Sequence, residues 1–162
     1  MGVKTLARIE YLTIDKIPAS HPVVKFHQLW TGWRTGDGFP LWDSFKAKDH
    51  PGIVPWMMVF EKIADQKYRY KFAGTSVEQL FGVPLQGKMF GSAVLPEDFV
   101  NRVTREFELI EAGAEPSLGL ASLPYEAKAH KSVYRGIYGF CGEDGIVSRI
   151  VAVVASQETR VT

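Results

Sequence analysis

The 162-residue sequence has little cysteine and no excess of charge of either sign. Cys141 is the only cysteine, which excludes an intrachain disulfide and a cysteine-rich zinc site. The 19 lysines and arginines nearly balance 18 aspartates and glutamates, whereas a nucleic-acid-binding protein usually shows a basic excess. We therefore expect no nucleic-acid partner.

Membrane-directing segments are also absent from the sequence pattern. Charged residues interrupt the first stretch, MGVKTLARIEYLTIDK, so it lacks the continuous apolar region of a signal peptide. The longest apolar run, residues 150–155, is typical of a buried strand and is far shorter than the roughly 20 residues that cross a bilayer. These observations predict a soluble, cytoplasmic protein without a membrane partner.

Catalytic signatures are equally scarce. The sequence contains no glycine-rich phosphate loop, no His-Glu-x-x-His and no Gly-x-Ser-x-Gly. We therefore predict that the protein is not an enzyme, and we assign no catalytic or metal-binding residue. A small α+β enzyme remains an alternative, which an acid/base pair of perturbed pKa in a cleft would favour.

The length fits one domain, and its first part, residues 1–54, is predicted to be an N-terminal extension. Residues 6–14 fit either a strand or a helix. Ser20 is a suitable cap for a helix at about residues 21–34. The apolar positions of this helix share one face because they are spaced by three and four residues. They are Val23, Phe26, Trp30 and Trp33.

The second part, residues 55–157, is predicted to be an α+β core. Hydrophobic alternation and turn residues predict five strands, at about residues 56–63, 68–73, 117–123, 127–140 and 146–156. Thr75 and Glu78 match a capping box for a short helix that ends at Gly82. A longer helix begins near Pro96 and ends at Gly113, with a single apolar stripe.

This order of elements resembles that of the PAS domain, in a bacterial PAS-like family known mainly from genome surveys. The resemblance covers residues 26–156. It implies a five-stranded antiparallel sheet with helices on one face, preceded here by the helical extension. The residues that carry it are Leu29, Trp30, Arg34, Gly38, Phe39, Pro40, Asp43, Phe72, Ala73, Gly74, Thr75, Gly82, Leu85 and Gly87.

The resemblance implies a sensory or protein-interaction domain in bacterial signalling. Because the sequence shows no kinase, cyclase or DNA-binding segment, we expect it to act without its own output domain, through self-association and a signalling protein as partner. A small molecule bound between the long helix and the sheet is compatible with this role. A purely structural dimerisation module is a further alternative.

Two cofactors of PAS domains are disfavoured by the residues present. A flavin–thiol adduct needs a cysteine at the start of a central helix, whereas Cys141 is predicted at the end of a strand. PAS haem sensors usually bind iron through a histidine on the long helix, and residues 96–113 contain none. His130 is predicted to lie in a strand. The identity of any ligand stays open.

Aromatic residues supply the candidate sites. Their predicted positions place five of them around one space, which is either a small-molecule cavity or a filled core. These candidate ligand-binding residues are Tyr70, Phe72, Phe107, Tyr134 and Tyr138. Trp30 and Trp33 are candidate interface residues, which pack the N-terminal helix against the outer face of the sheet or against another subunit.

Charged residues are expected mainly in water. The helical pattern places Glu106 on the wet side of the long helix, where it can pair with Arg102. Arg135 and Arg149 are out of phase with their apolar neighbours, which predicts the outer face of the sheet and a solvated role. Contact with a partner or an anion is the alternative.

Overall fold

The computed structural model describes residues 8–92, 95–113, 115–124 and 131–161. In these ranges one antiparallel sheet of six strands lies between helices on its two faces, so the predicted α+β class is confirmed. The strands are β1 Ile9–Tyr11, β2 Met57–Ala64, β3 Lys67–Ala73, β4 Ser117–Ser122, β5 Ser132–Cys141 and β6 Val147–Ser156. The helices are α1 Pro22–Trp33, α2 Thr75–Phe81 and α3 Glu97–Glu111.

The strand order across the sheet is β1-β4-β5-β6-β2-β3. The five predicted strands thus form a continuous block, and β1 extends it at one edge. This additional strand lies in the stretch that fitted either a strand or a helix, and Ile9 pairs with Ala121 of β4. The predicted number of strands was therefore one too few.

Helix α1 covers the outer face of the sheet and begins one residue later than Ser20 predicts. Its N-cap is His21, whose Nδ1 accepts a hydrogen bond of 3.1 Å from the Val23 backbone N–H. Because Nδ1 is the acceptor, Nε2 carries the proton and donates to the Ser156 carbonyl at 3.0 Å. Pro22 follows at the first helical position, where its missing N–H is not needed.

Each face of the sheet has its own hydrophobic cluster. Residues of α2 and α3 pack on the inner face, and residues of α1 pack on the outer face. The outer cluster joins Phe26 of the N-terminal part to Met57 and Val153 of the core. The boundary at residue 54 stays a prediction from the sequence, and the packing of α1 is continuous across it.

The predicted capping box of α2 is wrong. Gly74 is the N-cap, and the Glu78 carboxylate instead accepts the backbone N–H of Leu85 at 2.7 Å and of Gln86 at 3.1 Å. A Cβ atom on Gly74 would lie 2.3 Å from the Pro55 carbonyl oxygen, so close backbone approach fixes glycine there. The helix ends as predicted at Gly82, which has a φ of 81°.

The connection between β4 and β5 was predicted to be partly strand. Residues 125–130, and with them His130, lie outside the described residues, and β5 is described from Ser132. In the described ranges no helix has both the length and the apolar character needed to span a membrane.

A candidate ligand cavity between α3 and the sheet

A cavity of about 60 Å³ lies between α3 and the inner face of the sheet. The helix turns one apolar stripe toward the sheet because Val103, Phe107 and Ile110 recur at three- and four-residue spacing. Residues of α2, α3, the strands of the sheet and the connecting segments line the space. They are Met58, Phe60, Tyr70, Phe81, Phe90, Phe99, Arg102, Val103, Phe107, Ala121, Ser122, Leu123, Pro124, Val133, Arg135, Ile137, Ala152 and Val154.

Aromatic rings form one wall of the cavity. The Phe107 ring lies with its centroid 4.8 Å from that of Phe60 and 4.9 Å from that of Tyr68. Phe60 in turn lies 4.8 Å from Tyr70. Rings at these distances are in direct contact, so this wall is closely packed.

A buried ion pair adjoins the cavity. Arg135 is 7% exposed and Glu106 is 6% exposed, and Arg135 Nη2 donates a hydrogen bond to Glu106 Oε2. The same carboxylate oxygen accepts the Tyr11 hydroxyl at 2.6 Å and the Ser117 hydroxyl at 3.3 Å. Burial and the neighbouring Glu106 carboxylate raise the pKa of Tyr11. The network therefore joins β1, α3, β4 and β5.

The predicted places of Glu106 and Arg135 are both wrong. Glu106 does not lie on the wet side of α3, and Arg135 lies on the inner face of β5 with Val133 and Ile137. Strand β5 lies inside the sheet with helices on both faces, so alternation of polar and apolar residues does not distinguish its faces. Arg149 does lie on the outer face, beside Phe72.

Two of the five aromatic candidates, Tyr70 and Phe107, line the cavity. Phe72 does not. The pairing of β2 with β3 shifts by one residue between Val59 and Phe60, so Lys71 has no opposite residue and Phe72 turns to the outer face. A single extra residue in a strand reverses the face of every residue beyond it.

Tyr134 and Tyr138 also lie on the outer face, because neighbouring Arg135 and Ile137 occupy the inner one. Tyr138 is fully buried against Phe26, with ring centroids 4.9 Å apart. Its hydroxyl lies 3.2 Å from His27 Nδ1, and burial raises its pKa. These side chains fill a core below α1 and do not reach the cavity.

The two tryptophans have different environments. Trp30 is buried, and its indole N–H donates to the Gly139 carbonyl at 2.8 Å. Trp33 is half-buried against Phe45, with ring centroids 6.0 Å apart. The two predicted alternatives were packing against the outer face of the sheet or against another subunit. Trp30 packs against the outer face of its own sheet.

Cys141 lies at the end of β5, and its thiol donates to the Phe39 carbonyl at 3.4 Å. It is buried by the loop that follows α1. Within the part of the chain that the structure describes, no three histidine, cysteine or acidic side chains come together as a metal site.

The structure combines an antiparallel sheet with a long helix across its inner face and a cavity below that helix. A family model of the PAS domain matches residues 19–116, which is more than half of the chain, and the chain belongs to this family. The match runs from just before α1 to just before β4. No curated protein matches the chain. The protein is thus a sensory or interaction module of the PAS type.

Proposed function

We propose that this PAS domain senses a small molecule that binds in the cavity between α3 and the sheet. The supporting observation is an apolar cavity with a buried arginine at its wall. Small-molecule sites typically combine an apolar lining with a few polar groups that fix orientation. A core that served packing alone has no need of a buried charge, which is costly to desolvate.

The ion pair offers a route from the cavity to the surface. A ligand that contacts Arg135 changes the charge balance at Glu106, which holds the Tyr11 hydroxyl. Tyr11 lies on the edge strand β1 and is 57% exposed. Ligand binding therefore shifts the position or the stability of β1, where a partner can detect the change.

The remaining parts of the predicted role stay predictions from the sequence. They are self-association, a signalling protein as partner, a cytoplasmic location, a bacterial source and the absence of enzymatic activity. PAS domains are in general sensory and non-enzymatic modules, which agrees with the last of these.

A fragment screen tests the proposal. Small neutral and charged compounds are added to 15N-labelled protein, and amide chemical shifts identify those that perturb residues of the cavity. The Ala152→Val variant adds two carbon atoms at the cavity wall, where Ala152 is buried. We expect cavity-directed compounds to bind the wild type and to lose most of their affinity for A152V.

Ala155→Val is the matched control, because it makes the same change in the same strand on the opposite face. Ala155 is fully buried and is not part of the cavity wall. Compounds that bind in the cavity should retain their affinity for A155V. The proposal is wrong if no compound perturbs the cavity residues, or if A152V and A155V weaken binding equally.

A further inference from the structure

The guanidinium group of Arg135 is only partly paired. Its Nη2 donates to Glu106, with the Ser117 hydroxyl 3.5 Å away. Its Nε and Nη1 are buried and have no hydrogen-bond partner among the described residues. A buried charged donor without an acceptor is unfavourable by a large margin, and folded proteins rarely retain one. The Arg135 side chain forms part of the cavity wall, so a ligand in the cavity lies against this side chain.

The free donors of Arg135 favour an acceptor that is negative. Arg102 also lines the cavity, and burial followed by the charge of Arg135 lowers the pKa of Arg102. The two guanidinium groups are thus close enough to repel each other. Glu106 is the carboxylate in contact with Arg135, and Asp98 lies near Arg102. An anion beside Arg135 reduces this repulsion and forms charge-assisted hydrogen bonds, which are stronger than neutral ones.

The remaining lining residues limit the polarity and the size of the rest of the ligand. Apart from the two arginines and Ser122, the lining is made of apolar and aromatic side chains and one proline. The apolar surfaces favour an apolar body on the ligand. The volume of about 60 Å³ is small for a ligand site, since such sites usually measure about 300–1,000 Å³. The space therefore admits only a short chain beyond the anionic group.

We infer that the cavity binds a short-chain monocarboxylate, with its carboxylate on Arg135 and its hydrocarbon part against the apolar side chains of α3 and the sheet. This inference rests on the proposed function, because it names the class of ligand for the same site. It reverses the solvated role that the sequence predicted for Arg135. It also explains the position of a partly paired arginine beside apolar walls.

Matched pairs of probes test the inference. Acetate, propionate and butyrate are titrated into 15N-labelled protein at constant ionic strength and pH 7, alongside acetamide, propionamide and butyramide. Each amide has nearly the shape of its acid and no charge. We expect the carboxylates to shift residues around the cavity with affinities at least tenfold higher than those of the amides. Sodium chloride at the same concentration is the control for ionic effects.

Two variants separate the role of Arg135 from general damage to the fold. Arg135→Lys keeps the positive charge but removes the fork of donors, and we expect it to bind propionate about tenfold more weakly. Ala152→Val should weaken the binding of butyrate more than that of acetate, because the larger side chain reduces the volume of the cavity. The wild-type comparison of acid and amide needs no variant, so it stays decisive even if R135K is unfolded.

Each outcome has a defined meaning. If neutral compounds bind in the cavity and the carboxylates bind no better than their amides, the anion inference is overturned while the proposed function stands. If neither neutral compounds nor carboxylates perturb the cavity residues, both are overturned. If the carboxylates bind but R135K binds them equally well, Arg135 is not their anchor and the inference is overturned.

Discussion

The buried ion pair between Glu106 and Arg135 should couple strongly in a double-mutant cycle. Both side chains are more than nine-tenths buried, so removing one partner leaves the other without its counter-charge. Breaking such a pair typically costs about 3–5 kcal/mol, a large share of the 5–15 kcal/mol that stabilises an ordinary domain. We therefore expect Glu106→Gln and Arg135→Met each to lower the free energy of unfolding by about that amount.

The double variant should be more stable than the sum of the two single effects predicts. Removing both charges also removes the cost of burying them, so we expect an interaction energy of about 2 kcal/mol or more. Urea unfolding followed by circular dichroism measures all four proteins. Tyr11 and Ser117 still donate to Glu106 in the R135M variant, which should make this single change the milder one.

The ion pair between Lys62 and Glu111 is the matched control. Its atoms lie 3.2 Å apart, and its side chains are 42% and 20% exposed. Exposed pairs contribute about 0–1 kcal/mol, so the cycle of Lys62→Met and Glu111→Gln should show little coupling. The reasoning is refuted if the buried pair couples no more strongly than this one.

Three further predictions concern residues outside the cavity that stabilise the fold. Gly74→Ala should destabilise the domain by about 1–3 kcal/mol in urea unfolding, because its Cβ collides with the Pro55 backbone. Gly32→Ala, with open space around it in α1, should stabilise it by about 0.5–1 kcal/mol. If G74A and G32A changed the free energy of unfolding equally, the argument from the contact between Gly74 and Pro55 would be contradicted. Burial lowers the pKa of His21 in the folded state, so its stabilising contribution is complete above about pH 6.5 and decreases as the pH falls below that value. His21→Asn should flatten the decline in stability between pH 7 and pH 5. Parallel pH curves for H21N and the wild type would contradict this role of His21. Tyr138→Phe should cost about 1 kcal/mol through lost contacts with His27, and an unchanged unfolding midpoint would show that these contacts add nothing.

The elements of the fold were largely predictable because local patterns determine them. The apolar spacing of α1 and α3 and the turn residues between the strands give nearly the observed bounds. The edge strand β1 was ambiguous because it has only three residues, and its pairing with β4 is a long-range feature. His21 as a helix cap depends on carbonyl groups of β6 that are remote in the sequence.

The composition of the site was harder to predict. The bulge at Lys71 reverses Phe72, and no residue in the sequence marks it. Tyr134 and Tyr138 share a strand with Arg135 and Ile137, and the face of β5 that lies below α3 depends on how the sheet packs. One signal was present in the sequence. Arg135 is the one charged residue in the otherwise apolar and aromatic stretch of residues 133–141, which is unusual for a strand covered on both faces.

A crystal structure of the wild-type protein with propionate tests the central claim most directly, namely that the space between α3 and the sheet admits a small molecule. We predict difference density in this cavity, with a carboxylate oxygen within hydrogen-bonding distance of Arg135 and the ethyl group against Ile137 and Val154. Crystals of the A152V variant grown with propionate should lack this difference density. Wild-type crystals in which the surrounding side chains meet, with no space and no density between them, would contradict the account.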